Sequence, residues 1–432
     1  MNITNPGMQT GKTKSARYVQ ALYLAAISFL AYVSVYGFRK PFTVAEFTGV
    51  KYWGISYQTL LIISQVIGYM LSKFYGIVLI SSMKKTGRWK LFAGLISVAW
   101  ACLFLLAIVP QPWGMLCMLV NGYMLGFMWG FVFSYIEGRR TTDLIASALA
   151  VSFIFAGGFT RSVAKWLLID LHVSQQWMPF LAGAFFVPPL ALLIYLLERA
   201  PLPDEEDIAD RSERLPMTKD DRRNLIKTYG AGLIFILVTY VLLTIIRDVR
   251  DSFMSNMWGE LGHSGDYAIF TRTETITSVT VLAMLCLMMF IRDNMRAFRL
   301  THILILAGLL IAGISSYLFR NGQLGGVAWM QLTSLGLYMS YIPYNCIFFE
   351  RMIAALRLKG NVGFLIYLVD AFGYMGSLTV MLTKEGLGSG MKWTPFYSGA
   401  VVLFSLIGVG GILFSYFYFD RKYRSAQVSV HG

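Results

Sequence analysis

Long apolar runs dominate this chain, and polar residues gather in short clusters between them. A helix rises about 1.5 Å per residue and the hydrocarbon core of a bilayer is about 30 Å thick, so roughly 20 apolar residues make one crossing. Twelve such runs can be laid out, over 17–47, 55–83, 90–109, 114–136, 144–168, 177–198, 228–256, 267–291, 300–318, 326–349, 361–383 and 394–418. The first 16 residues are polar and no small-residue cleavage site follows the first run, which is therefore expected as a retained helix rather than a signal peptide. One long polar stretch interrupts the series, ERAPLPDEEDIADRSERLPMTKDDRRNLIK, from Glu198 to Lys227. It predicts a six-helix bundle at 1–198, a charged linker at 199–227, and a second six-helix bundle at 228–432 ending in a short basic tail. Six helices, a linker and six more is the layout of a pseudo-symmetric secondary transporter, whose halves rock about a site near the midplane.

Composition and charge sharpen this. With 432 residues, 56% hydrophobic and 14% charged, the chain is too apolar for a soluble fold and is expected as an all-α, multi-pass integral membrane protein. Lys84, Lys85, Arg88, Lys90, Arg139, Arg140, Arg421, Lys422 and Arg424 fall on the side that holds both termini, against Lys51, Arg320, Lys384 and Lys392 on the other. Basic loops stay in the cytoplasm, so both termini are expected there, with a bacterial inner membrane as the location. The net charge of +14 then reflects loop bias rather than the basic face of a nucleic-acid-binding module, and no nucleic-acid partner is expected.

Several chemistries find no machinery. Cys102, Cys117, Cys286 and Cys346 lie inside apolar runs with no CxxC or Cys/His spacing, so neither a disulfide framework nor a zinc site is indicated. His172, His263, His302 and His431 are scattered. No glycine-rich loop ending in Lys-Ser/Thr is present to cradle ATP, and no nucleophile-base pair can be read, so neither a cofactor nor an enzyme activity is expected.

What stands out is a repeated cation. AYVSVYGFRKPF places Arg39 seven residues after Tyr32, and TYVLLTIIRDVRDSF places Arg247 seven residues after Tyr240, the two arginines being 208 positions apart. A cation in hydrocarbon is unfavourable by about 2.5 to 3.5 kcal/mol on insertion scales, so a repeated one needs a reason. An anion held between the halves supplies one, because the planar guanidinium offers paired N–H donors to phosphate or carboxylate. Adding the same offset to Arg161 lands one residue from Asp370, and SYIEGRR at Glu137 and IFFERMI at Glu350 end their runs alike. Lys73 lies well inside its run. Each cation also has a structural alternative: Arg39 can snorkel to the outer interface, Arg247 can pair with Asp251 one turn on, and Lys73 can form a salt bridge between helices. Arg161 and Asp370 can pair within their own halves, and Arg272 and Glu274 can serve a gate or packing.

The loop KKTGRWK, with Gly87, Arg88 and Lys90, resembles the G-x-x-x-D-R-x-G-R-R motif of the major facilitator superfamily, but Lys84 stands where the acid should be and Ile80 where the first glycine should. The resemblance implies that superfamily's fold of twelve helices in two bundles. Within it, Tyr32, Tyr36, Arg39, Lys40 and Phe42, with Lys73 in GYMLSKFYG and Arg247, resemble the organophosphate:phosphate antiporters, although SALAVSFIFAGGFTRSVAK lacks their histidine and carries Arg161 instead. YGFRKPF, TRTET and ERMIAAL also resemble an uncharacterised bacterial membrane protein family of unknown function.

The resemblance implies exchange of a small organic anion, phosphate-bearing, by a monomer. Arg39, Arg247, Lys73, Arg161 and Lys40 would hold the charge and Tyr32 and Tyr36 would shape the pocket, with Asp370, Glu274, Arg272 and Asp251 in coupling or gating. One alternative is a proton-coupled symporter or exporter working through Asp370 and Glu274, since burial disfavours a charged carboxylate. Another is a transporter-like metabolite receptor.

Overall fold

The computed structural model describes residues 14–81, 87–136, 139, 141–201, 219–356, 362–386 and 391–431. Helix α1 (Lys14–Tyr36) is followed by a 3-10 turn (Pro41–Val44) and a two-stranded antiparallel hairpin, β1 (Lys51–Tyr52) and β2 (Ile55–Ser56). Trp53 and Gly54 at its tip both have positive φ, 53° and 80°, as a tight turn matched to the strand twist requires. Then come α2 (Tyr57–Ser81), α3 (Arg88–Ile108), α4 (Gly114–Leu125), α5 (Met128–Ile136), α6 (Thr142–Ile169) and α7 (Met178–Glu198). The second half holds α8 (Lys219–Glu260), α9 (Ala268–Met289), α10 (Asn294–Arg320) and α11 (Gly326–Pro343). One π turn (Tyr344–Phe348) links α11 to α12 (Phe349–Ala355), and α13 (Val362–Gly386) and α14 (Trp393–His431) complete the described chain.

Among the described residues nine helices are long and apolar enough to cross a membrane, and the chain is an integral, multi-pass membrane protein. Their outward faces carry large apolar side chains such as Leu105, Phe185, Leu287, Phe290 and Leu406, which suit lipid rather than water. The hairpin marks one end of the helix bundle, and Glu198 and Lys219, which flank the expected linker, mark the other. They serve below as the hairpin end and the linker end.

Two departures from the expected spans have local causes. The first helix was expected to reach residue 47 but stops at Tyr36, because Gly37 opens a turn and Pro41 starts a separate 3-10 segment. Helix α8 begins nine residues before the expected 228, since KDDRRNLIK holds no Gly or Pro to stop a helix and its Lys, Arg and Leu favour one, extending it past the apolar run. Residues 202–218 of the expected linker and Glu137, Lys84, Lys85 and Arg140 lie outside the described residues.

Within the first half α1 packs on α6 and α7, α2 on α4, and α3 on α4 and α7. In the second, α8 packs on α13 and α14, α10 on α11 and α14, and α9 on α11. The halves meet chiefly where α6 lies on α9 and α2 on α13. The α2–α4 contact is backbone to backbone: a Cβ on Gly68 would stand 1.9 Å from the Leu119 carbonyl oxygen, and one on Gly122 would stand 2.1 Å from that of Gln65. Small residues that let helices approach this closely replace, inside lipid, the hydrophobic drive available in water.

Candidate functional site: two charged clusters between the halves

Tyr69 of α2 is the centre of the first cluster. The Arg39 guanidinium, carried on the turn after α1, lies 4.0 Å from the Tyr69 ring centroid and 5.5 Å from that of Tyr36. The Lys73 ammonium, one turn along α2, lies 4.8 Å from the same Tyr69 ring. Tyr69 meets Tyr374 of α13 edge to face at 5.7 Å, so this pair of rings joins the two halves. On the far side the Arg247 guanidinium of α8 sits 4.3 Å from the Tyr341 ring and 6.0 Å from that of Tyr374. The two repeated arginines therefore stand on either side of one inter-half tyrosine contact, and Tyr32 stacks beside Tyr36 at 5.4 Å on the α1 wall.

Their surroundings differ in charge. Arg247 donates from Nε and Nη2 to Asp248 Oδ1 at 3.0 and 2.7 Å and from Nη1 to the Tyr341 hydroxyl, while Ser377 donates to the other Asp248 oxygen at 2.9 Å. It is thus already paired. Arg39 has no carboxylate within ion-pair distance among the described residues. Its Nη1 reaches the Tyr36 hydroxyl at 3.4 Å and its buried Nε has no partner among them. Lys73 likewise has no carboxylate at that distance among the described residues. Opposite them Asp370 of α13 accepts a 2.7 Å hydrogen bond from Tyr240, whose hydroxyl also lies 3.1 Å from that of Tyr341 and 3.3 Å from Asn345 Oδ1. Arg39, Lys73, Arg247 and Asp370 are partly accessible, whereas Tyr32, Tyr36, Tyr69, Tyr240, Tyr341 and Tyr374 are buried, so charged tips reach into a lining of packed rings.

The second cluster lies one helical turn along α8, about 6 Å closer to the hairpin end. Asp251 binds the Lys40 ammonium through Oδ2 and the Arg161 guanidinium through Oδ1 at 2.9 Å, and its backbone carbonyl accepts from Arg161 as well. Arg161 is completely buried and is completed by Thr43 Oγ1 at 3.1 Å and the Gly157 carbonyl at 2.6 Å. Lys40 and Arg161 belong to the first half and Asp251 to the second, so this knot ties the halves together. Around it Gln58 and Asn256 exchange hydrogen bonds at 3.0 and 3.2 Å, Glu385 accepts from Ser56 and Thr59, and Ser162 meets the Tyr267 carbonyl and Thr271.

Several sequence expectations are corrected by this arrangement. Lys40 and Arg161 do not join Arg39 and Arg247; both bind Asp251. The local Arg247–Asp251 pair does not form, because Asp248 takes Arg247 and the two cations from the other half take Asp251. Arg39 does not snorkel outward but turns onto Tyr69. Glu274 is 1% exposed and bound to Arg250 at 2.6 Å with Ser334 alongside, a buried structural pair, and Arg272 is exposed on α9 away from both clusters. Arg161 and Asp370 are not repeat mates in depth, since Arg161 lies in the hairpin-end third of α6 and Asp370 in the linker-end third of α13.

Tyr69, Asn345 and Arg250 were not singled out from sequence. Tyr69 is one of 24 tyrosines, and neither Asn345 nor Arg250 stands in a repeat or motif that sets it apart. A separate cleft of about 350 Å³ at the hairpin end, lined by Phe47, Tyr57, Pro110 and Trp177 among others, holds no charged side chain and belongs to neither cluster.

Comparison with known proteins gives the fold company but no chemistry. A profile described as a family of unknown function (DUF5690) matches residues 41–422. No curated protein matches the sequence. Among solved structures, the crystal structure of the nucleoside transporter NupG shares 14% identity at a TM-score of 0.60, over 93% of this chain and 99% of that one. A point mutant of the same transporter aligns over the same shares at 13% identity and the same TM-score. The chain therefore has the fold of the nucleoside transporter NupG.

Proposed function

We propose that this chain, which belongs to the family of unknown function DUF5690, is a secondary transporter that passes a small organic anion between its two helix halves by alternating access. The observation that carries this reading is Arg39: a permanently charged guanidinium, stacked on Tyr69 between the halves, with no carboxylate partner among the described residues and a buried Nε left without an acceptor. A buried charge without a counterion is strongly unfavourable, and an incoming anion removes that penalty. Lys73 adds a second cation, 4.8 Å from the centroid of the same ring and without a carboxylate at ion-pair distance among the described residues. The fold shared with NupG supports transport as the use of this site.

In this reading twelve helices cross the membrane and the linker end, with both termini, faces the cytoplasm, in line with the Lys/Arg bias of the loops. The Asp251 knot then closes the outer side, and the cation cluster one turn deeper faces the path from the cytoplasm. Arg39, Lys73 and Arg247 with Tyr32 and Tyr36 form the substrate site, and Lys40, Arg161 and Asp251 form the outer gate. The first-helix resemblance adds phosphate-bearing anions to the solutes to be tried.

The test is counterflow in proteoliposomes against a panel of carboxylates and phosphate esters. Exchange of at least one anion is expected, with a loss of tenfold or more in the double variant Arg39→Gln, Lys73→Gln. Undiminished exchange in that variant would remove the cluster from the transport path. A proton-coupled reading is favoured by a different observation, the Asp370 carboxylate that lacks a cation partner among the described residues and accepts from Tyr240. Uptake that follows an imposed pH gradient would select it.

A further inference from the structure

We infer that the transported solute is a singly charged, hydroxyl-bearing ring compound, a sugar-acid-like monocarboxylate, bound with its carboxylate on the first half and its hydroxyls on the second. This rests on the transporter reading above and narrows it by charge and by hydrogen-bonding capacity.

Charge comes first. Arg247 and Asp248 cancel as a bonded pair at 2.7 Å. Within the first cluster the charges beyond that pair are Arg39 and Lys73 on one wall and Asp370 on the other, an excess of one positive charge, while the Asp251 knot one turn away holds two cations on one carboxylate. In a site walled by buried tyrosines an uncompensated charge is poorly screened, so the best ligand carries one negative charge. A phosphate monoester, with a charge of about −1.5 to −2 at neutral pH, overshoots and is repelled by Asp370. A zwitterion or neutral solute leaves the excess in place.

The second wall then says what the rest of the solute is. Asp370 uses one oxygen for Tyr240 and leaves the other without a cation, while Asn345, Tyr341 and Tyr240 form a row of side chains that both donate and accept. Ionised carboxylates accept only, so the free Asp370 oxygen asks for a donor, and adjacent hydroxyls supply several at hydrogen-bond spacing. Asn345 lies in the π turn that follows Pro343, where the helix is opened and side chains are redirected.

The experiment uses the full-length protein, in detergent for thermal stabilisation and in proteoliposomes for counterflow. The probes are glucuronate, glucose 6-phosphate, glucose, phenylalanine and cyclohexanecarboxylate. Glucuronate is expected to act at concentrations at least tenfold below the other four. Asp370→Asn raises the positive excess to two, so it is expected to shift preference at least tenfold toward glucose 6-phosphate. Should that variant fail to fold, Asn345→Ala is expected to narrow the gap between glucuronate and cyclohexanecarboxylate and to leave that between glucuronate and glucose 6-phosphate in place. Preference of the wild type for the phosphate ester, the zwitterion or the hydroxyl-free acid overturns the inference and leaves the transporter reading standing. So does an unshifted preference in Asp370→Asn or an unnarrowed gap in Asn345→Ala. The transporter reading itself falls if no solute, in this set or in the anion panel, either stabilises the protein or exchanges.

Discussion

Asp251 carries two cations from the opposite half, and its side chain is only 17% exposed, so its removal leaves Lys40 and Arg161 buried without a balancing charge. Breaking such a buried pair typically destabilises by about 3–5 kcal/mol. Asp251→Asn is therefore expected to lower the melting temperature in detergent by several degrees and to make a cysteine at Tyr36 more reactive from the hairpin end; unchanged melting and labelling would show that the knot bears no load. The residues that sequence could reveal were those whose type is rare in hydrocarbon. Arg39, Lys73 and Arg247 stood out as cations in apolar runs and do lie around one pair of rings. Their assignment to partners was not legible, because it depends on which side chains of other elements come within reach, and spacing along one element does not show that. Arg39 and Lys40 adjoin in the chain yet serve different clusters, and Asp248 and Asp251, three positions apart, take cations from different halves.

Two glycines of α6 set how closely the halves can meet. A Cβ on Gly158 would lie 2.5 Å from the Phe270 carbonyl oxygen and 2.8 Å from Glu274 on α9, while one on Gly157 would stand 3.1 Å from Arg161 Nη1 and 3.3 Å from Asp251 Oδ1. The Gly158 contact is to backbone, which cannot swing aside as a side-chain tip can. Overpacking of this kind costs about 1–3 kcal/mol, and the cheapest relief is separation of α6 from α9. Gly158→Leu is expected to open the hairpin end, read as faster alkylation of a cysteine placed at Ser162; alkylation at the wild-type rate, with the protein folded, would rule out this contact as the limit on closure. Helix positions were readable from the apolar runs, because lipid demands about 20 such residues whatever their neighbours. The end of α1, the break between α4 and α5 and the π turn after Pro343 were not, since Gly and Pro punctuation competes there with an unbroken apolar pattern.

At the scale of the molecule, the polar bonds between the halves gather at the hairpin end. Lys40 and Arg161 meet Asp251, Gln58 meets Asn256, Ser56 and Thr59 meet Glu385, and Ser162 meets Thr271. The neutral ones are modest alone, at about 0.5–1.5 kcal/mol for a hydrogen bond, but all of these bonds must part together for the site to open at this end. That makes the closed end a discrete state rather than a breathing motion, and alternating access requires it to be left and regained in every cycle. Replacing Gln58 and Asn256 removes no charge. A Gln58→Cys, Asn256→Cys variant, oxidised or bridged by a short bifunctional reagent, is expected to lose counterflow by tenfold or more while still being stabilised by a bound solute from the linker end. Reduction of the disulfide form is expected to restore exchange. Exchange at the wild-type rate with the bridge intact would mean that this end never opens, and the two arginines would then hold a ligand without passing it on.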